Sequence, residues 1–127
     1  MKDKHLYEYA VIRVVPKVER EEFTNVGIIL FCKHQKYLAV KYHIPFEKLR
    51  LYCSELDLDE LEKHLQSFEK ISKASKDGGR IAAMDIPSRF RWLTAVRSSC
   101  VQTSRPHSGY SEDLDATLNH LFEDLVL

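Results

Sequence analysis

The sequence lacks several features that would place the protein in a specialised class. It has no run of about 18 apolar residues, so no transmembrane helix is predicted. Its first residues, MKDKHLYEYAVIRVV, lack the small-residue cleavage site of a signal peptide. The three cysteines, Cys32, Cys53 and Cys100, lie far apart without a C-x-x-C pair, which argues against a disulfide framework or a zinc knuckle. We therefore expect a cytoplasmic protein with free thiols and no membrane contact.

Motifs for cofactors, metals and covalent catalysis are also missing. The four glycines do not form a phosphate-binding loop, and the sequence has no G-x-S-x-G stretch. Its six histidines include no H-x-x-x-H or H-x-E pair of the kind found in zinc sites. We therefore expect no cofactor and no metal.

Length and composition are those of one globular domain over residues 1–127. The chain is 44% hydrophobic and 30% charged, which is ordinary for a soluble protein. Its 19 Lys and Arg balance its 19 Asp and Glu, and the pI is near 7. Nucleic-acid-binding domains are often strongly basic, so this balance argues against a basic surface over the whole domain.

Hydrophobic periodicity predicts strands in the first third of the chain. Residues 6–15, LYEYAVIRVV, alternate, and this places Tyr7, Tyr9 and Arg13 on one face. The apolar residues 25–32, NVGIILFC, predict a buried second strand with a turn or bulge at Asn25 and Gly27. A third strand over 37–43 would complete an antiparallel meander.

Helical spacing dominates the remainder. Leucines and Phe68 recur at helical intervals through 57–72, and a last helix after 111 is predicted in the same way. Ser88 is expected to cap a helix that carries Arg89 and Arg97, and Ser111 to cap the last helix. A fourth strand is expected at 100–103, followed by a loop over 105–109, RPHSG. The predicted class is α+β, an antiparallel β-meander of three to four strands covered by three to four helices.

Residues 80–109 contain the strongest functional signal. All five of their cations are arginines and none is lysine, although the chain has eleven lysines elsewhere. Arginine binds carboxylates and phosphates with two parallel hydrogen bonds, which lysine cannot do. One interpretation is a solvated polar loop; the other is an anion site. The candidate anion-binding residues are Arg13, Arg20, Arg89, Arg97, Ser98, Ser99, Gln102, Ser104 and His107.

Arg13 and the connection after it leave alternatives open. An arginine inside an apolar strand is costly unless it is paired. Arg13 either forms a salt bridge with Glu19 or Glu8, lies exposed on an edge, or points into the same pocket as Arg97. The segment 18–27, VEREEFTNVG, is either a charged turn with Phe23 filling the core, or a pocket rim formed with Glu19, Arg20 and Asn25.

The stretch YEYAVIRVVPKVEREEFTNVGIILF, with RFRWL and SSCVQTSRPHSG downstream, resembles a bacterial family catalogued as domain-of-unknown-function family 3037. The resemblance brings no activity. It implies a bacterial cytoplasmic protein and an accessory role beside HipA-like Ser/Thr kinases, in a toxin–antitoxin or defence setting. The similar positions, as they stand here, are Tyr9, Arg13, Pro16, Glu19, Arg20, Phe23, Asn25, Gly27, Arg89, Arg91, Trp92, Ser98, Ser99, Gln102, Ser104, His107 and Gly109.

Two functions from different classes follow from these residues. The first is a non-catalytic binding module whose ligand is an anionic group, an acidic or phosphorylated protein partner, or nucleic acid, and which could form a homodimer. The second is a metal-independent phosphodiester-acting enzyme in which His107 transfers protons and Glu19 assists. A purely structural subunit is the third alternative. Asn25, Gly27, Trp92 and Gly109 are expected to have structural roles.

Overall fold

The computed structural model of the protein describes residues 4–15, 23–52, 58–95 and 100–127. The five strands are β1 (His5–Val14), β2 (Thr24–Cys32), β3 (Tyr37–Tyr42), β4 (Val101–Thr103) and β5 (His107–Ser111). The five helices are α1 (Phe46–Tyr52), α2 (Leu58–Ser72), α3 (Gly79–Ala82), α4 (Ile86–Leu93) and α5 (Leu114–Leu125), and a 3₁₀ turn (Lys76–Gly78) precedes α3. The predicted α+β class is confirmed.

All strands belong to one antiparallel sheet. Its order is β3-β2-β1-β4, and β5 also pairs with β1. The predicted meander of the first three strands is therefore confirmed, as is the fourth strand. Strands β4 and β5 share one side of β1: β4 pairs with its last three residues and β5 with its first five. Together they form one edge of the sheet.

A β-bulge interrupts the pairing of β1 with β2. Ile12 lies opposite Gly27, but the next residue, Arg13, lies opposite Asn25, so Val26 is the extra residue. The bulge occurs where Asn25 and Gly27 predicted a turn or bulge. Because a bulge shifts the register by one residue, Asn25 faces the same side of the sheet as Arg13, while Val26 joins the core on the other side.

Each face of the sheet covers its own apolar cluster. On one face, alternate residues of β1 and β2, including Ile12 and Ile29, pack against α1, α2 and α4. On the other face, Val11 and Leu30 pack against Leu118 and Phe122 of α5. The second strand is buried on both sides, as its nearly continuous apolar sequence predicts. Within the described ranges, α5 is the helix that packs on the second face.

Two helix caps differ from prediction. The Asp85 side chain, not Ser88, caps α4, and its carboxylate accepts a hydrogen bond from the Ser88 backbone N–H at 2.8 Å. Asp113, not Ser111, caps α5 in the same way. An aspartate side chain three residues earlier accepts a hydrogen bond from the helix N–H as well as serine does. Its negative charge also interacts favourably with the helix N-terminus.

Two segments after α3 also differ from prediction. Helix α4 ends at Leu93, so Arg89 and Arg97 do not share a helix. The predicted loop at 105–109 is wrong for His107, Ser108 and Gly109, which belong to β5 and pair with β1. This strand is polar because it lies at an edge with most side chains exposed, and it therefore lacks the apolar alternation that reveals a buried strand.

Candidate anion-binding site

Helix α5 covers only part of its face of the sheet. Three polar contacts fix it over β3 and β2: Tyr37 donates to Asp115 at 2.8 Å, Lys41 donates to Asn119 at 2.7 Å, and the Lys41 ammonium lies 4.8 Å from the centre of the Phe122 ring. Burial and the acceptor carboxylate raise the pKa of Tyr37, so its hydroxyl stays a donor. Among the described residues, the part of the face formed by β1, β4 and β5 lies beside the helix, where Tyr7 and Tyr9 pack against its apolar cluster.

Strand pairing brings distant polar and aromatic residues together on that part of the face. Gln102 of β4 lies opposite Arg13, and His107 of β5 lies opposite Tyr9. Residues directly opposite in an antiparallel pair share a face, and so do alternate residues of one strand. We call the surface formed by Tyr7, Tyr9, Arg13, Gln102 and His107 the open face. Its residues are half-buried, apart from His107, which is exposed.

Arg13 occupies one end of the open face and has no acidic partner among the described residues. Its guanidinium carbon lies 4.3 Å from the centre of the Phe23 ring, a cation–π contact. Its Nε is buried and has no hydrogen-bond partner, and no ion pair joins it to a carboxylate in the described part of the chain. The expected salt bridge with Glu8 is therefore absent. Phe23 does not fill the core, since 48% of it is exposed.

A row of rings extends from Arg13 toward the start of β1. The rings of Tyr7 and Tyr9 have centroids 6.3 Å apart, and those of Tyr9 and His107 are 5.3 Å apart at an interplanar angle of 34°. Tyr7 lies over Gly109 on the neighbouring strand, where a Cβ atom would come within 2.6 Å of the ring. Burial, with a smaller effect of Tyr9, raises the pKa of Tyr7, so the Tyr7 hydroxyl is uncharged at neutral pH.

A cavity of about 300 Å³ adjoins Arg13 at the C-terminal end of α5. Phe23 and Asn25 line it together with His43 and Lys48, and Lys48 adds positive charge at this end of the sheet. The Asn25 amide donates to the Leu125 carbonyl at 3.0 Å and thereby attaches the helix end to the bulge.

Ser104 is used by the backbone. Its hydroxyl accepts a hydrogen bond from the Val11 N–H at 2.9 Å and donates one to the Arg105 carbonyl at 3.0 Å. Its own N–H donates to the Val11 carbonyl at 2.9 Å. Ser104 therefore continues the ladder of β1 across the gap between β4 and β5, and its hydroxyl proton is not available to a ligand.

Arg89 is a structural residue in the helical layer. It is only 7% exposed, and its guanidinium donates to three backbone carbonyls. Nη1 bonds the Ile71 and Ser72 carbonyls at 2.8 and 3.0 Å, and Nε bonds the Met84 carbonyl at 3.0 Å. The first two belong to the last turn of α2, where helices leave their carbonyls unpaired. The structure does not bring Arg89 to the open face.

The remaining predicted residues divide into two groups. Trp92 lies in the helical layer, where its ring meets Phe68 at 6.5 Å, and is 37% exposed. The others lie outside the described residues, so their positions stay predictions: Glu19, Arg20, Arg97, Ser98 and Ser99.

Sequence reasoning missed the rings as members of the site. Strand alternation places Tyr7 and Tyr9 on the Arg13 face but does not by itself make them binding residues, and the contact of Phe23 with Arg13 was not predicted. The signal was the run of aromatic residues on the same face as an arginine, at every second position of one strand.

Two absences bear on the site. No group of three or more His, Cys, Asp or Glu side chains with metal-binding geometry occurs within the ranges that the structure describes. None of the helices described there is long and apolar enough to cross a membrane.

Cys32 is buried, and burial raises the pKa of the half-buried Cys100 thiol, which lowers its reactivity.

The fold and the open face define a class of small α+β protein. Within the described residues, one antiparallel sheet carries a helical layer on one side and helix α5 on the other, with the open face beside α5. The chain belongs to the family described as "Protein of unknown function (DUF3037)", whose model matches residues 9–126. This confirms the resemblance drawn from the sequence motifs. No curated protein and no solved structure matches the chain.

Proposed function

We propose that the protein is a non-catalytic binding module that holds an anionic group of its partner at Arg13. The observation that carries the proposal is the state of this side chain, a half-buried guanidinium that has an aromatic contact but no carboxylate partner in the described chain. Partly burying a charge without a counter-charge costs free energy. A bound carboxylate or phosphate would offset that cost.

The surroundings of Arg13 favour such a ligand. Phe23 contacts the guanidinium through its ring, and Nε lacks a hydrogen-bond partner. A guanidinium fork of this kind can form two parallel bonds to carboxylate or phosphate oxygens. Gln102 lies opposite on β4, and the exposed Arg105 follows in the β4–β5 connection. Lys48 lines the adjoining cavity with His43 and adds to the positive potential.

The site favours binding over phosphodiester chemistry. An enzyme of that kind needs a general acid–base group positioned against a nucleophile or a water. The Ser104 hydroxyl is bonded to the backbone on both sides, and the exposed His107 ring contacts Tyr9 rather than a carboxylate within the described residues.

The proposal is tested by titrating the ¹⁵N-labelled protein with inorganic phosphate at low ionic strength, with chloride as the reference anion. We expect phosphate-dependent shifts at the Arg13 Nε–H and the backbone amides of Gln102 and Phe23. Arg13→Ala should abolish these shifts, and Arg13→Lys should weaken them because it keeps the charge and loses the fork. The matched control is Arg80→Ala, which removes an exposed arginine of α3 in the helical layer.

Shifts of the same size in Arg13→Ala and in the wild type would refute the proposal. The phosphodiester alternative is measured in parallel with bis(p-nitrophenyl) phosphate, and we expect no hydrolysis above background. Hydrolysis that His107→Ala abolishes while phosphate binding survives would favour the enzyme instead.

A further inference from the structure

We propose that the open face is a platform for single-stranded nucleic acid, with bases stacked on the rings and a backbone phosphate at Arg13. The inference rests on the proposed function only for the contact at Arg13. The rings of Tyr7, Tyr9 and His107 supply independent evidence, because a site for an isolated anion has no need of them.

The rings form a row along two neighbouring strands of an antiparallel sheet. Tyr9 lies between the other two, with centroid distances of 6.3 Å to Tyr7 and 5.3 Å to His107. Aromatic side chains on an uncovered sheet face are a recurrent means of holding unpaired bases, because every base offers a flat π-surface. A duplex hides those surfaces within its own stack, so the row favours a single strand.

A groove runs beside this row. It has a volume of about 360 Å³, with Tyr7 of β1 and Ser111 of β5 on one side and α5 on the other. On the helix side it is lined by Asp113, which caps α5, and by four residues of the helix: Ala116, Thr117, His120 and Leu121. The groove gives a strand of nucleotides a lateral wall, and its mixed apolar and polar lining suits a base next to a sugar.

Charge along the platform is mixed. Arg13 and Lys48 lie toward the C-terminal end of α5, which also carries Glu123 and Asp124, whereas Glu112, Asp113 and Asp115 lie around its N-terminal end. The two cations are complementary to phosphate, and the carboxylates repel it. A strand bound here therefore places few phosphates against cations, and stacking should contribute more of the affinity than ion pairing.

A phosphorylated peptide would match this surface less well. It could place its phosphate at Arg13, but it would leave the ring row without flat partners. The observations on the rings therefore favour nucleic acid over a phosphorylated protein segment, and the peptide becomes an alternative outcome of the experiment.

The experiment is fluorescence anisotropy with a short labelled oligouridine, an abasic oligonucleotide of the same length, a duplex and a phosphoserine peptide. We expect oligouridine to bind at least about 10-fold more tightly than the abasic strand, since stacking is worth about that factor per base. The slope of log K against log salt should be shallow, near −0.7 for each phosphate contacted.

Two variants and one control assign the stacking to the ring row. Tyr9→Leu keeps the apolar contact with the α5 cluster. His107→Ala changes an exposed side chain and should fold normally. Each should weaken oligouridine binding about 10-fold and leave abasic binding nearly unchanged. The matched control is Tyr110→Ala, because Tyr110 is 69% exposed but pairs with Leu6 on the opposite face.

The outcomes separate this inference from the proposed function. Equal affinity for oligouridine and the abasic strand, or equal loss in Tyr110→Ala and His107→Ala, would overturn the platform. If inorganic phosphate or the phosphoserine peptide still binds in an Arg13-dependent way, the anion site stands and only the nucleic-acid inference fails. If neither phosphate nor any oligonucleotide binds, both fail.

Discussion

Replacing Arg89 by alanine should destabilise the fold strongly, although the sequence places this arginine among candidate binding residues. Its side chain is 7% exposed and donates three hydrogen bonds to backbone carbonyls of Ile71, Ser72 and Met84. The first two carbonyls end α2 and the third precedes α4, so the guanidinium joins two helices that are adjacent in the layer.

The magnitude follows from those three bonds. A hydrogen bond from a charged donor contributes about 1.5–3 kcal/mol, and a buried carbonyl left without a partner costs about 1–3 kcal/mol. The bonds share one side chain, and water can reach part of the vacated space, so the sum is an upper bound. We expect Arg89→Ala to lower the free energy of unfolding by about 3 kcal/mol, a large share of the roughly 5–15 kcal/mol of a typical domain.

Urea unfolding followed by circular dichroism measures this loss. With a slope of about 1.5 kcal/mol per molar urea, the midpoint should fall by about 2 M. Arg89→Lys should recover part of the loss, since one ammonium can reach some of the carbonyls but lacks the fork. The matched control is Arg91→Ala, because Arg91 lies on the same helix with its side chain exposed, and its loss should stay within about 0.5 kcal/mol.

Two results would refute this reasoning. The first is an Arg89→Ala midpoint that coincides with that of Arg91→Ala, because the carbonyl bonds would then contribute nothing to folding. The second is a variant of normal stability that has lost phosphate binding, because Arg89 would then serve the ligand instead of the helices.

Three further predictions concern the sheet. Ser104→Ala should cost about 1–3 kcal/mol in urea unfolding, because it leaves the buried Val11 N–H without an acceptor; unchanged stability would contradict the bridging role. Gly109→Ala should cost about 1–3 kcal/mol through the clash with Tyr7, and Tyr7→Ala in the same chain should recover part of it; additive losses would argue against the contact. The raised pKa of Tyr37 in the folded state stabilises the fold below pH 10, and this contribution is lost as the pH rises above about 10. A tyrosinate absorbance titration should lose its last ionisation step in Tyr37→Phe.

Much of the fold was predictable because local periodicity matched burial. The alternation in β1 correctly places Ile12 and Arg13 on opposite faces of the sheet. The apolar run of β2 is buried on both faces, as continuous apolar strands are. Strand β5 was not predictable in this way. An edge strand with exposed side chains carries no apolar signal, and only its pairing with Tyr7 and Tyr9 defines it.

The candidate site shows the same division. An arginine in an eight-residue helix reads as a surface residue, and nothing local distinguishes Arg89 from Arg91. Arg89 differs from Arg91 because its guanidinium donates to carbonyls 17 and 18 residues earlier in the chain, at the end of another helix. Ser104 likewise reads as one of several loop hydroxyls until its bond to Val11, 93 residues away in sequence, is seen.

What the sequence alone determined is which side chains share a strand face: Tyr7, Tyr9 and Arg13 must point the same way, because strand side chains alternate with a period of two. Only the tertiary structure decided that Gln102 and His107 join them and that α5 packs beside them. Those outcomes depend on contacts between residues far apart in the chain, such as Lys41 with Asn119, 78 positions away. Local pattern cannot encode such distances, because they arise only when the whole sheet and its helix pack together.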